Sequence, residues 1–146
     1  MTHTFLLQEG VWIVRGHYFD DTDRILPLDG MVRITHLEGL WLNEGETEIK
    51  IGENPIKIHN RYEIIPLEEG KNQTTWKSVN PDLGILLGRY IIVADTIIST
   101  CRSEKGEYTG AEFHLKVSDV HYKSRGILSK GNDKLSSWSV DLQKSS

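Results

Sequence analysis

Apolar and polar residues alternate with a period of two over most of this chain, and short clusters of turn-forming residues interrupt the alternation at regular intervals. The clearest stretch is Ile56–Ile64, where Ile56, Ile58, Asn60, Tyr62 and Ile64 share one side and Lys57, His59, Arg61 and Glu63 the other. Successive side chains of an extended backbone point to opposite faces, so this pattern predicts a strand with one wet and one buried face. The same rhythm sets Thr47, Ile49 and Ile51 against Glu46, Glu48 and Lys50. A short lead-in, residues 1–8, precedes a first strand over 11–19 that is rich in branched and aromatic side chains and ends at Asp20-Asp-Thr-Asp23. Residues 24–28 carry Pro27 and run into Asp29-Gly30, which predicts a loop folded over one end of the sheet.

Strand patterns continue over 31–38 and 40–42 around Gly39, then 46–51, Ile56–Ile64, 74–78, Gly84–Val93, 96–102, 108–117, 120–129 and 135–142. Ala94-Asp95 reads as a tight reversal, and the later connections are all hairpin-length. Links this short permit only sequential antiparallel pairing, because parallel neighbours need crossovers of a dozen or more residues. No stretch holds a helical period. The expectation is therefore an all-β chain, one domain over residues 1–146, folded as a closed antiparallel up-and-down barrel of about eight to ten strands. Gly16, Gly39, Gly88, Gly110 and Gly126 fall inside strand patterns, as bends or bulges of a curving sheet or as points of close packing.

Composition narrows the partners. The 17 Lys and Arg against 21 Asp and Glu give a net charge of −4 with both signs scattered, which argues against nucleic acid. No apolar run reaches the roughly 18 residues of a membrane-crossing helix, so no membrane insertion is expected. Cys101 is the only cysteine and cannot form an internal disulfide; with no basic, apolar leader, a reducing cytoplasmic setting is the expectation.

Gly10-Val-Trp12 on the first strand, followed by an antiparallel meander ending in Ser137-Trp-Ser-Val-Asp-Leu142, resembles the calycin superfamily of lipocalins, fatty-acid-binding proteins and avidins. The stretch from Gly88-Arg-Tyr-Ile-Ile-Val93 through Tyr122-Lys-Ser-Arg-Gly126 is similar to uncharacterised bacterial lipocalin-like proteins. The resemblance implies a barrel around a small, largely hydrophobic ligand. It also implies that Trp12 packs across a closed barrel end against an arginine from a late strand, Arg125 or Arg89. The chain departs from secreted lipocalins in lacking their Thr-Asp-Tyr loop motif and paired cysteines, and from fatty-acid-binding proteins in lacking an Arg-x-Tyr pair on its last strands.

Alternation names the residues that would line such an interior. Taking Trp12 as inward adds Val14 and Tyr18, and the later strands offer Asn60, Tyr62, Trp76, Arg89, Ser99, Cys101, Phe113, Tyr122 and Trp138. The candidate ligand-binding set is Tyr18, His36, Asn60, Tyr62, Trp76, Arg89, Phe113 and Tyr122. Asn60 stands among apolar face-mates, and a buried amide must find partners in protein, water or ligand. Arg89, between Gly88 and Tyr90, either faces inward and requires an anion, or faces solvent, or closes the barrel end over Trp12. The six histidines form no His-x-His or His-Glu-x-x-His pair, so no metal site is expected. The cofactor stays unassigned: a haem held by one inward histidine is the open case, with His36 as candidate because it shares a face with Val32 and Ile34.

Cys101 has only Arg102 as a basic neighbour in sequence and reads as a buried, inert thiol. Ser136, Ser137 and Ser139 lack a nucleophile elbow, and the sequence does not bring Glu112 and Asp141 together. Three functions remain. The first is binding of a small hydrophobic molecule. The second is an isomerase, cyclase or chromophore-lyase activity in the same cavity, which a carboxylate or histidine of shifted pKa at the wall would favour. The third is a solid barrel serving assembly or a homodimer, which an exposed Trp41 or Trp76 in an apolar patch would favour.

Overall fold

In a computed structural model, which describes residues 2–145, ten strands form one closed antiparallel barrel. They are β1 Gly10–Phe19, β2 Ile25–Leu37, β3 Leu40–Ile49, β4 Ile56–Ile64, β5 Gln73–Asn80, β6 Gly84–Val93, β7 Thr96–Ser103, β8 Tyr108–Ser118, β9 His121–Lys130 and β10 Asp133–Lys144. Each strand pairs with its sequence neighbour, and β1 closes the ring against β10 through Trp12↔Lys144 to Phe19↔Ser137. The architecture is thus the expected up-and-down barrel. Ala94-Asp95 forms the expected reversal, with Val93 paired to Thr96 and Ala94 at φ 52°, a left-handed conformation that hairpin turns require.

Two expectations fail locally. Residues 24–28 are not a loop: β2 starts at Ile25 and runs for 13 residues. Leu26 and Leu28 point into the barrel and are buried, and Pro27 between them points out. Its missing N–H is tolerated because the ladder to the next segment uses its carbonyl, which accepts from the Lys50 amide at 2.9 Å. The separate segments at 40–42 and 46–51 are one strand, β3, joined to β2 through a turn with Gly39 at φ 71°.

The wall is uneven. Most neighbouring strands share seven to ten paired residues, but β4 and β5 pair only through Glu63↔Lys77 and Ile64↔Trp76, with a further bond from the Ser78 hydroxyl to the Arg61 carbonyl at 2.7 Å. Below that point, Asn60, Ile58 and Ile56 are paired on the β3 side alone.

The lead-in does more than precede the barrel. Residues 3–7 turn across the end where Trp12 and Tyr122 sit, and His3, Thr4, Phe5 and Leu6 are all buried. Polar bonds tie this plug to two turns and to β2. His3 Nε2 donates to the Ala94 carbonyl at 2.9 Å, Thr4 Oγ1 donates to the Asp119 carbonyl at 2.7 Å, and His36 Nε2 donates to the Leu6 carbonyl at 2.8 Å. The Tyr122 hydroxyl lies 2.6 Å from His3 Nδ1. Phe5 stands edge-on to Trp12, with ring centres 5.4 Å apart, and Trp12 is likewise edge-on to Tyr122 at 5.6 Å. A tight, apolar void of about 20 Å³ is left between Leu6, Trp41, Ile64, Tyr90 and Ile97, too small and too dry to hold a guest.

The implied Trp12–arginine contact is absent. Arg125 and Arg89 alternate with inward residues and face out, and Arg125 donates to the Ser124 carbonyl at 3.0 Å. Phe5 takes the place across Trp12 that the resemblance gave to an arginine.

Candidate functional site

Register assigns the inner wall. Across β7 to β10 one row reads Ser99↔Glu112, Glu112↔Gly126 and Gly126↔Trp138, and Trp138 is paired in turn with Tyr18 of β1. The neighbouring row runs Trp76↔Gly88, Gly88↔Cys101 and Cys101↔Gly110. Two indoles lie flat on this wall by the same device. Trp76 crosses the backbone of Gly88 and donates from Nε1 to Ser99 Oγ at 3.2 Å; Trp138 crosses Gly126 and donates to Glu112 Oε2 at 2.6 Å. Glycine is required at both crossings, since a Cβ at Gly88 would lie 2.2 Å from Trp76 and one at Gly126 2.0 Å from Trp138.

Glu112 is the centre of the site. It sits mid-strand on the inner face, and its carboxylate also meets His114 Nε2, 3.3 Å from Oε1. His114 is held from behind, with Nδ1 2.6 Å from Ser124 Oγ and the Phe5 ring edge-on at 5.0 Å. Burial acts to raise the Glu112 pKa, but the charge of His114 and the hydrogen bonds from His114 and Trp138 prevail and hold it below the ordinary carboxylate value. The group is therefore ionised at neutral pH. Its charge adds to desolvation, the larger cause, in pushing up the Tyr62, Tyr90 and Cys101 pKa values. Cys101 is accordingly a poor nucleophile.

Glu112, His114 and Ser124 follow the acid–base–hydroxyl order of a hydrolytic triad, but the geometry does not serve attack. Ser124 is 1% exposed, bonded to His114 beneath the plug, and faces no reachable space. It orients the imidazole instead. Glu112 differs: deep in the barrel, its side chain keeps 32% of its surface accessible. Tyr18, Asn60, Tyr62, Cys101 and Trp138 also face inward and remain partly exposed. These inward side chains are therefore not fully packed over by their neighbours.

Of the residues anticipated from sequence, Tyr18, Asn60, Tyr62 and Trp76 stand on this inner wall, with Tyr62 edge-on to Trp76 at 4.7 Å. Tyr122 faces inward at the plugged end, fully buried under Phe5 and His3. His36 also belongs to the plug contacts, stacked on Trp41 at 3.8 Å with Nε2 donating to the Leu6 carbonyl. Arg89 and Phe113 do not face the interior. Arg89 alternates with Tyr90 and is exposed, and Phe113 is 44% exposed because Glu112 and His114 hold the inward positions of β8. Choosing the large apolar residue as inward shifted that strand by one and hid the carboxylate–histidine pair. The signal that could have recovered it is the glycine spacing: Gly88, Gly110 and Gly126 mark the face that the tryptophans cover.

Among the described residues no helix is long and apolar enough to cross a membrane, and no group of three or more His, Cys, Asp or Glu is arranged to hold a metal ion.

The chain is a ten-strand closed barrel with a plugged end, a glycine-floored wall and an interior carboxylate at Glu112, and comparison with solved structures finds a chain of like fold. The chain is similar to the S-type phycobiliprotein lyase CPES from Guillardia theta, with a TM-score of 0.67 and 11% identity over 94% of this chain and 88% of that one. Weaker likeness is found to a protein provisionally assigned as AttH from Nitrosomonas europaea, with a TM-score of 0.33 and 10% identity over 94% of this chain and 51% of that one. No protein-family model matches the chain, and no curated protein matches it by sequence.

Proposed function

We propose that the barrel is a container for one small, largely hydrophobic molecule, held in the hollow beside Glu112. The supporting observation is the partial exposure of Glu112 at the middle of an inward-facing row. Apolar and aromatic walls supply affinity at about 25 cal/mol per Å² removed from water, and the few polar groups set orientation. The short β4–β5 seam, flanked by the half-buried Asn60, is where the ladder of the wall is least complete.

A second use of the same hollow is turnover of the guest in the sense of an isomerase, cyclase or chromophore lyase. It is favoured by one feature, a carboxylate of lowered pKa against a histidine on the wall, and by the barrel shared with a phycobiliprotein lyase. The Trp41 and Trp76 indoles are turned inward, which removes the feature that would favour a solid assembly module.

The container reading is tested by mass spectrometry of molecules that co-purify with the protein, together with titration by a panel of lipophilic fluorescent probes of differing charge. One saturable site that quenches Trp76 and Trp138 is expected. Failure of every probe to bind, with no co-purifying molecule, contradicts it.

A further inference from the structure

We propose that the outer wall carries a second site, a shallow cationic groove over β5 to β7 that takes the phosphate monoester of a small, partly apolar molecule. The groove lies on the opposite face of the sheet from Glu112, so it is independent of what the interior holds.

Charges are placed differently here from the other side of the barrel. On β1 to β4 every strand arginine and lysine stands opposite a carboxylate: Arg15 faces Asp29 and Asp141, Arg33 and Arg61 face Glu44, and Lys57 faces Glu48. On β5 to β7 that pattern stops. One outward row reads Lys77↔Leu87↔Arg102, and the next reads Thr75↔Arg89↔Thr100. Arg89 is thus the diagonal neighbour of both Lys77 and Arg102, at a separation of about 7–8 Å that long side chains bridge. None of the three joins an ion pair among the described residues. Glu63, opposite Lys77, has Arg61 at 3.9 Å on its own strand, and Glu104, two residues beyond Arg102, makes no ion pair among the described residues. Three like charges therefore stand together with their repulsion largely uncompensated.

The surface there is concave. Lys77, Arg89 and Arg102 border a recess of about 810 Å³, where Thr75, Thr100 and Thr109 add hydroxyls. Leu40, Ile65 and Leu87 give it an apolar side, with Ile65 58% exposed. This lining offers many donors and, in Glu63, one carboxylate, which suits an oxyanion with several acceptor atoms. A guanidinium engages two phosphate oxygens at once, and the Lys77 ammonium adds a point charge. A monoester dianion offsets more of the mutual repulsion than a singly charged group does, and the apolar side accepts the group it esterifies. A recess holds a molecule that enters it, whereas a bilayer meets only the rim.

The test titrates phenyl phosphate into the purified protein by isothermal calorimetry at low salt, with benzenesulfonate and benzyl alcohol as singly charged and neutral probes. Phenyl phosphate is expected to bind one site at least about ten-fold tighter than either, and more weakly as sodium chloride is raised. Arg89→Gln and Arg102→Gln alter exposed side chains and should each weaken it about three- to ten-fold. Arg125→Gln removes the same charge from the outer wall outside the groove and should leave the affinity unchanged. Absence of binding, equal affinity for the three probes, or an affinity that the Arg89 and Arg102 variants change no more than the Arg125 variant overturns the site. Co-sedimentation with phosphatidate vesicles without binding of phenyl phosphate overturns it in favour of a membrane surface. Each of these outcomes leaves the container reading where it stands, because that reading is tested with lipophilic probes of the interior.

Discussion

The plugged end and the middle of the barrel are built from the same alternation yet solve opposite problems. At the plug, Trp12, Tyr122, Ile34 and Ile97 are at most 2% exposed, and residues 3–7 supply what the ring of strands alone cannot, a side chain to fill the axis. In the middle, large residues are laid against the wall instead of across the axis. Glycines at 88 and 126 let the Trp76 and Trp138 indoles lie along the wall. Stability is concentrated where the axis is filled, and the proposed container lies where it is not. His114 joins the two, touching Phe5 on one side and Glu112 on the other.

The comparison breaks most sharply at Phe5. Removing a fully buried ring that contacts Trp12, His114 and Tyr122 should cost about 3–5 kcal/mol, read as a lowered urea midpoint in Phe5→Ala. A loss below about 1 kcal/mol would mean that the plug is a passive tail. Gly126→Val probes the middle. The added side chain cannot coexist with the Trp138 indole where it lies, so the ring must swing into the hollow; a loss of about 1–3 kcal/mol is expected, together with loss of probe binding and a changed near-ultraviolet tryptophan signal. Intact binding in a folded variant would show that the indole does not shape the lumen.

The smallest effect concerns pH. The folded-state pKa of Glu112 lies below its ordinary value of 4.5, so its ionisation stabilises the fold above that value, and the stabilisation is lost as pH falls through the lowered folded pKa. Glu112→Gln should therefore flatten the acid side of a melting-temperature profile below about pH 4.5 and leave its neutral region nearly parallel to the wild type. Asp20, held at about 2 by the Thr22 hydroxyl and the Arg24 amide, titrates in both proteins and forms the common background. Identical acid limbs would remove Glu112 from the ionised state assigned to it.

Most of the barrel could be read from alternation, because a half-buried strand writes its period into the sequence; β4 and β6 have the bounds their residues predicted. The misreadings share a cause. Pro27 suggested a loop because proline disrupts a ladder, yet a position that supplies only its carbonyl accepts it. Residues 1–8 carried no strand or helix period, so the plug, whose order comes from burial of Phe5 and Leu6 against distant strands, left no local trace. Of the site, Tyr18, Asn60, Tyr62 and Trp76 followed from parity, whereas Glu112 and His114 did not. A carboxylate and a histidine flanking an apolar Phe113 look like a solvated face, and only the tertiary partners Trp138 and Ser124 make the inward placement affordable.

Cys101 offers the most direct test that the lumen is hollow, as the sole thiol of the chain and one that faces the inner wall half-buried. The measurement is the rate at which a small, neutral reagent, methyl methanethiosulfonate, modifies it in the native protein across a urea series. A hollow predicts complete labelling without denaturant, at a rate that still climbs above pH 9 because burial raises the thiol's pKa, and protection by a bound guest. Labelling that advances only in step with global unfolding would mean that the interior is closed, and the container would be ruled out.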